Sequence, residues 1–421
     1  MVPQRPFPRA VRADPAGSGG VPDPRHRGTE PVQVEPGHRR GAAWQGAGRV
    51  AFHRERPIGR SDGGGQLGVT IPTHTSTEID PHARGSEFGA RWPAEVAATF
   101  HGYAELFDAH GATAARVRSY AEEALRSTEK WAPALAAEMA GIAEGAGLAA
   151  WQVGAVNART EILAALDAVG EGECSTAVVL PGGGAPRTVQ TWDWHPHLRE
   201  VPVLWAYEPC AGRVVRTFTE FGVLAKIGVS TAGLGVHFNI LRHASDSAEI
   251  GVPVHLVARR ILDEAATVDE AVDLARTART SASTAITVVT ADAAATLELC
   301  PDGVAVVPAD GVLLHTNHFL DPDLAIGERL AVERPLTYDR LTHLRDHVDG
   351  LAAVDVTARA EALVSHGPHQ APVCAHPDPS AALHERWETV ATISLDVAAG
   401  SVLVHEGGPC GVIADTWQTF P

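Results

Sequence analysis

The sequence predicts an α+β layered fold, and three observations carry the prediction. Residues 92–168 have a helical texture, rich in Ala, Leu and Glu, with apolar residues recurring at three and four. From residue 174 the texture changes to short apolar runs separated by turn residues, which read as strands. Two helical segments then interrupt the strands before they return. Strands, helices and strands again are the order of an α+β domain.

Taken in order, residues 1–68 are rich in Pro, Gly and Arg and show no period, with GSGG at 17–20 and DGGG at 62–65 as linker-like punctuation. They read as a disordered basic segment. The helical pieces are expected at 92–109, 112–128, 132–144 and 149–166, with Gly111, Gly145 and Gly147 between them. Strands are expected at 174–180, 187–195, 201–207, 214–220 and 223–229. Helices follow near 251–264 and 268–279, and strands at 285–291, 294–299, 303–307 and 312–316. Helices near 322–333 and 338–348 precede a strand pair at 390–397 and 400–406. The organisation is then a helical region, 69–173, and a strand-bearing region, 174–421, within one folded domain, 69–421.

Charge narrows the partners. Residues 1–68 hold 11 Arg against 6 Asp and Glu, so the rest of the chain carries a net charge of −22. An acidic body does not bind nucleic acid, which needs clustered positive charge. No run of 18 apolar residues exists, so no membrane span is expected. The five cysteines, Cys174, Cys210, Cys300, Cys374 and Cys410, are odd in number, widely spaced and without a CxxC. That pattern speaks against a disulfide framework and for a reducing cytoplasm. His195-Pro-His197 and Cys374-Ala-His376 lack zinc-ligand spacing, so neither a metal nor a cofactor is expected.

Cys174 opens the first strand, just after the helix-to-strand change. The glycine- and proline-rich loop 181–187 reverses the chain, so 188–195 returns antiparallel. With Thr188 opposite Leu180, Asp193 falls opposite Ser175, beside the start of the Cys174 strand. On spacing alone Cys174 reads first as core filler, and Asp193, between Trp192 and Trp194, as the polar face of an alternating strand.

Several blocks then carry a family resemblance: Asn157-Ala-Arg-Thr-Glu161, Gly172-Glu173-Cys174-Ser175-Thr176 and Gln190-Thr191-Trp192-Asp193-Trp194. Gly222–Leu241 adds Lys226-Ile-Gly228, Gly233-Leu-Gly235 and Asn239-Ile-Leu241. Thr316-Asn317-His318, Gly407-Gly-Pro-Cys410 and a glycine pair at Gly85 and Gly89 also fit. Over about residues 78–410 the chain resembles the autoproteolytic acyltransferase/hydrolase family typified by isopenicillin N acyltransferase, within the N-terminal-nucleophile (Ntn) hydrolases. The resemblance implies a four-layer αββα sandwich and self-cleavage between Glu173 and Cys174. It implies Cys174 as nucleophile, Asp193 as the acid one hairpin on, Asn317 as the oxyanion-hole asparagine and Arg386 as a downstream active-site arginine, with Arg340 as its rival. Thr191, Trp192 and Asn239 are the expected substrate contacts. The chain departs from the family at Thr191 and Ser230, where Asn is usual, and at Glu173, where the penicillin-pathway enzyme has Gly. These departures bear on the substrate.

The chemistry suits those residues. A thiol attacks as thiolate, and free Cys has a pKa of about 8.5. Cleavage before Cys174 would free an α-amine of pKa about 7.7–8.0, which takes the thiol proton. The partners are then a small acyl donor, amide or acyl-CoA, with water or an amine as acceptor, and the two cleaved chains with each other. Two other readings stand beside this one. One is a Cys–His hydrolase using His318 or His237, without cleavage. The other is a non-catalytic scaffold of the same fold. Arg159 and Glu161 read as parts of a buried polar network, and Lys226 as a solvated strand end.

Overall fold

The computed structural model describes residues 70–168, 173–366 and 373–421. The expected basic segment, 1–68, lies outside them.

The helical region supplies α1 (Pro81–Arg91), α2 (Pro93–Ala109), α3 (Ala114–Trp131), α4 (Pro133–Ala146), α5 (Ala150–Asn157) and α6 (Arg159–Ala165). Helix α1, which the sequence reading left out, begins at Pro81 behind an Asp80 cap that accepts the Ala83 N–H at 2.9 Å. Gly85 and Gly89 lie against the backbone of α4, where a Cβ would run into the carbonyls of Glu138 and Ile142. The glycine pair is therefore a close helix crossing. The single helix expected at 149–166 breaks at Ala158. There the Asn157 side chain leaves the helix to accept the Leu224 N–H at 3.0 Å and donate to Gly222 O at 2.8 Å.

The strands are β1 (Thr73–Thr75), β2 (Cys174–Val179), β3 (Arg187–Trp194), β4 (Pro202–Cys210), β5 (Arg213–Glu220), β6 (Ile227–Ser230) and β7 (Leu234–Ile240). Further along come β8 (Thr284–Val289), β9 (Ala294–Cys300), β10 (Gly303–Pro308), β11 (Val312–His315), β12 (Glu388–Asp396), β13 (Ser401–Glu406) and β14 (Gln418–Phe420). They form two sheets, ordered β1-β4-β5-β6-β7-β8-β9-β10 and β11-β2-β3-β12-β13-β14. The sheets face each other through β2 against β7 and β13 against β5 and β6. Helices α7 (Val254–Glu264) and α8 (Val268–Thr277) cover the outer face of the first sheet. After the short α9 (Leu330–Glu333), helices α10 (Leu336–Asp346), α11 (Val348–Leu351) and α12 (Val356–Glu361) cover the second. The result is an αββα sandwich. Strands β2, β7, β8 and β9 are buried at every position, as strands covered on both faces must be.

Alternation along β2 and β3 sorts their side chains. Val178 and Trp192 join the core between the sheets, and Cys174 goes with them. Ala177, Val179 and Val189 pack outward against Leu344, Leu351 and Leu363. Ser175, Thr191 and Asp193, on the same strand phase as that second set, lie on the α10 side.

The hairpin register differs from expectation by two residues. Thr188 pairs with Val178 and Cys174 with Trp192. Leu180 is drawn away to donate to Gly311 O at 2.8 Å, which leaves a longer loop. A two-residue shift keeps every side chain on its face. It moves Asp193 from beside Ser175 to beside Glu173.

Candidate active site

The peptide unit joining Glu173 to Cys174 is held from several directions. The Asp193 N–H donates to Glu173 O at 3.1 Å. The Cys174 N–H donates to Asn317 Oδ1 at 2.8 Å. The Cys174 carbonyl accepts from Arg340 at 2.8 Å and from Asn239 Nδ2 at 3.2 Å. Arg340, on α10 and wholly buried, also donates to Ser175 Oγ at 3.1 Å and to Asn317 Oδ1 at 3.0 Å. Its Nε stands 3.9 Å from the Glu173 carboxylate. The Asn317 amide nitrogen is engaged by Ile240 O at 2.8 Å. With two donors on its oxygen and one acceptor on its nitrogen, the orientation of this amide follows from its partners. Asn317 therefore holds the Cys174 nitrogen through its oxygen, with one of its two amide N–H donors committed to Ile240 O.

Burial sets the proton affinities. It pushes the Cys174 thiol up to about 12, with the Asp193 charge adding to the rise. Burial likewise pushes the Asp193 carboxyl up to about 8, against the pull of the Thr389 hydroxyl and Arg340. An unfolded Asp titrates near 3.9. Between roughly pH 4 and 8 the folded chain thus keeps a proton the unfolded chain has lost, so raising the pH over that window favours unfolding. In an uncut Cys174→Ala protein, Asp193→Asn should remove this slope. The double variant should melt higher than Cys174→Ala at pH 8 and nearly the same at pH 4. Thermal melts across that range check the sign.

On the other side of Cys174 lies a small cavity of about 10 Å³, roughly the room one water needs. Trp192, Trp194, Phe238 and Ile240 give it an apolar lining, joined by Lys226, Arg159 and His255. Lys226 is no solvated strand end. It is buried, its Nζ 2.8 Å from Glu220 Oε2 and 3.2 Å from the Trp192 ring centre. Burial lowers its pKa to about 7. Arg159 and Tyr103 bind the same Glu220 carboxylate. The expected polar network of Arg159 exists, while Glu161 accepts separately from the Val254 N–H at 2.8 Å.

The other expected residues fall in different places. Thr191 is buried, and its hydroxyl accepts the Ser175 N–H at 3.2 Å, facing away from the cavity. Trp192 lines the cavity. Asn239 is buried and spans Cys174 O and the Thr176 hydroxyl, so its amide serves the protein itself. Arg386 is not brought to Cys174: its Nε donates to Ala381 O at 2.8 Å within its own loop. Arg340 occupies the place beside Cys174 because α10 lies across β11 and β2. His237 bonds Gln190 Oε1 at 2.9 Å and His318 bonds Thr337 Oγ1 at 3.0 Å. Burial holds both near 3, and neither touches Cys174 among the described residues.

Two sheets stacked between helical layers, with a cysteine opening an interior strand, define the αββα sandwich class. Within that class the chain belongs to the acyl-coenzyme A:6-aminopenicillanic acid acyl-transferase family, which matches residues 181–402. That span includes Asp193, Asn317 and Arg340 and begins just after Cys174. The acyl-coenzyme A:6-aminopenicillanic-acid-acyltransferase 40 kDa form of Emericella nidulans is 28% identical over 253 residues, covering 57% of this chain and 69% of that protein. Among solved structures, the Caenorhabditis elegans ortholog of N-acylethanolamine-hydrolyzing acid amidase is 17% identical at a TM-score of 0.38, covering 53% of this chain and 93% of its own. Penicillin V acylase from Agrobacterium tumefaciens is 16% identical at 0.40, covering 55% and 83%. No helix among the described residues is long and apolar enough to cross a membrane.

Proposed function

We propose that this protein is a self-cleaving Ntn amidohydrolase/acyltransferase that cuts its own Glu173–Cys174 bond and then carries an acyl group as a Cys174 thioester. The observation that supports this most is the grip on that one peptide unit. Its carbonyl oxygen faces the Asp193 N–H and its nitrogen faces Asn317, while the buried Asp193 and Arg340 lie alongside.

In the first step the Cys174 sulfur adds to the Glu173 carbonyl carbon. The Asp193 N–H stabilises the developing oxyanion, a contribution of about 3–4 kcal/mol for a well-placed donor. The C–N bond breaks and the thiol proton passes to the leaving nitrogen. Water then hydrolyses the thioester, leaving a Glu173 carboxylate, a free thiol and a free α-amine. The amine, held by Asn317, becomes the base that the uncut amide cannot be. Asp193, which lies opposite Glu173 across the hairpin, would pair with the new ammonium, and this brings its carboxyl back toward the ionised form.

In the second step the activated thiol attacks the carbonyl of a linear amide or a thioester. Water completes an amidase cycle and an amine completes acyl transfer. The apolar lining beside Cys174 suits the acyl chain. Its present volume, about 10 Å³, is far below the ~300 Å³ of a ligand pocket.

The test is to incubate the protein with an acyl-coenzyme A and with the matching N-acyl amide, quench in acid and map the peptides by mass. The expected result is an acyl adduct on Cys174 that hydroxylamine discharges. Substrate turnover with the adduct on another residue, or with none, would overturn the reading.

A further inference from the structure

The sequence gives Cys374-Ala-His376 no metal-ligand spacing, yet the fold brings that segment to two others. His366 follows α12, His376 lies between it and β12, and Cys410 sits in the turn after β13. The three side chains are exposed, and their ligand atoms lie within 4.8 Å of one another. Cys410 Sγ stands 3.6 Å from His376 Nε2, and the two imidazole rings are centred 5.1 Å apart. Zinc binds His nitrogen at about 2.0–2.1 Å and Cys sulfur at about 2.3 Å. Tetrahedral angles then put N and S about 3.5 Å apart. The pair already has that separation.

The backbones beside the ligands are fixed. Cys374 N donates to Ser365 O at 3.2 Å, which ties the neighbour of His366 to the segment of His376. Ala375 N donates to Thr389 Oγ1 at 2.9 Å, and the Thr389 N–H returns to Ala375 O at 2.9 Å. Gly407 N, entering the Cys410 turn, donates to Val390 O at 2.8 Å. Such anchoring holds ligands in place before a metal arrives.

We propose that His366, His376 and Cys410 form a binding site for a borderline-soft divalent cation of the Zn²⁺ type, with the fourth position open to solvent. Two imidazoles and a thiolate are the donor set that selects such an ion over Mg²⁺ or Ca²⁺. Binding displaces the Cys410 thiol proton to water, so one proton leaves for each ion bound at this residue. The site clips three loops together around the start of β12. Thr389, which both anchors the His376 segment and pairs with Asp193 across the sheet, links the clip to the catalytic hairpin. The ion is a structural brace for that edge and takes no part in acyl transfer.

The test uses the full chain, reduced and stripped by chelator, then titrated with Co²⁺. The expected result is saturation at one equivalent, with a thiolate-to-metal charge-transfer band and the visible bands of a four-coordinate site. Cys410→Ser should abolish the charge-transfer band. His366→Gln and His376→Gln, made separately, should each weaken binding at least ~10-fold. Cys174→Ala should keep the band, since Cys174 lies outside the site, and so should Cys374→Ser, which removes the thiol next to Cys410. Circular dichroism of the metal-free variants controls for folding. No band at excess Co²⁺, or a band that survives in a folded Cys410→Ser, would overturn the proposal.

Discussion

Cys174→Ala should accumulate as one uncut chain and lose acyl transfer by ~10⁴-fold or more, the scale seen when a covalent nucleophile is deleted. Both losses have the same cause. On the proposed mechanism, the sulfur that attacks the Glu173 carbonyl is the sulfur that later carries the substrate acyl group. The substitution should be gentle on the fold. Cys174 is buried and its side chain faces the inter-sheet core, so alanine removes one sulfur and leaves the backbone grip of Asn317, Asn239 and Arg340 intact. An uncut and inactive variant with a near-native melting temperature separates loss of chemistry from loss of structure. Gel analysis and an acyl-transfer assay on the same preparation check it.

Arg340 should produce the next largest effect. Its guanidinium meets Cys174 O, Ser175 Oγ and Asn317 Oδ1 at once and stands near the Glu173 carboxylate. Arg340→Lys keeps the charge, but a single ammonium on a flexible stem does not reproduce a planar fork. We expect both self-cleavage and turnover to fall by ~10²-fold, because the Asn317 amide and the peptide unit it holds lose their common tether and small misplacements are costly. Arg386→Lys is the matched control. Its side chain bonds Ala381 O in its own loop, and its rates should stay within a few-fold of wild type. Equal losses in the two variants would remove Arg340 from the catalytic neighbourhood.

The contrast between these arginines shows where sequence reading ends. The cysteine at the helix-to-strand boundary, the hairpin and the αββα layering were legible, because texture and the family blocks are local properties. The choice between Arg340 and Arg386 was not. It depends on α10 lying across β2, a contact between residues 166 apart in sequence. Lys226 was misplaced for a related reason. Only the fold shows that its strand end points at Glu220 and under Trp192. The hairpin register slipped because Leu180 pairs toward Gly311, a partner far outside the hairpin. Strand β7 was passed over although its apolar residues alternate with Gly235, His237 and Asn239, a period-two signal that could have been read. The helix expected at 322–333 shrinks to Leu330–Glu333, since Asp321 and Asp323 organise a turn: Asp321 Oδ1 accepts from Asp323 N and Leu324 N at 3.0 and 3.1 Å.

The central claim is that Cys174 becomes an N-terminus. A denaturing intact-mass spectrum of freshly purified wild type, with N-terminal analysis of each piece, tests it most directly. The account predicts two chains whose masses sum to the full chain plus one water, the second beginning at Cys174. A single uncut chain that nevertheless forms the acyl adduct would contradict it.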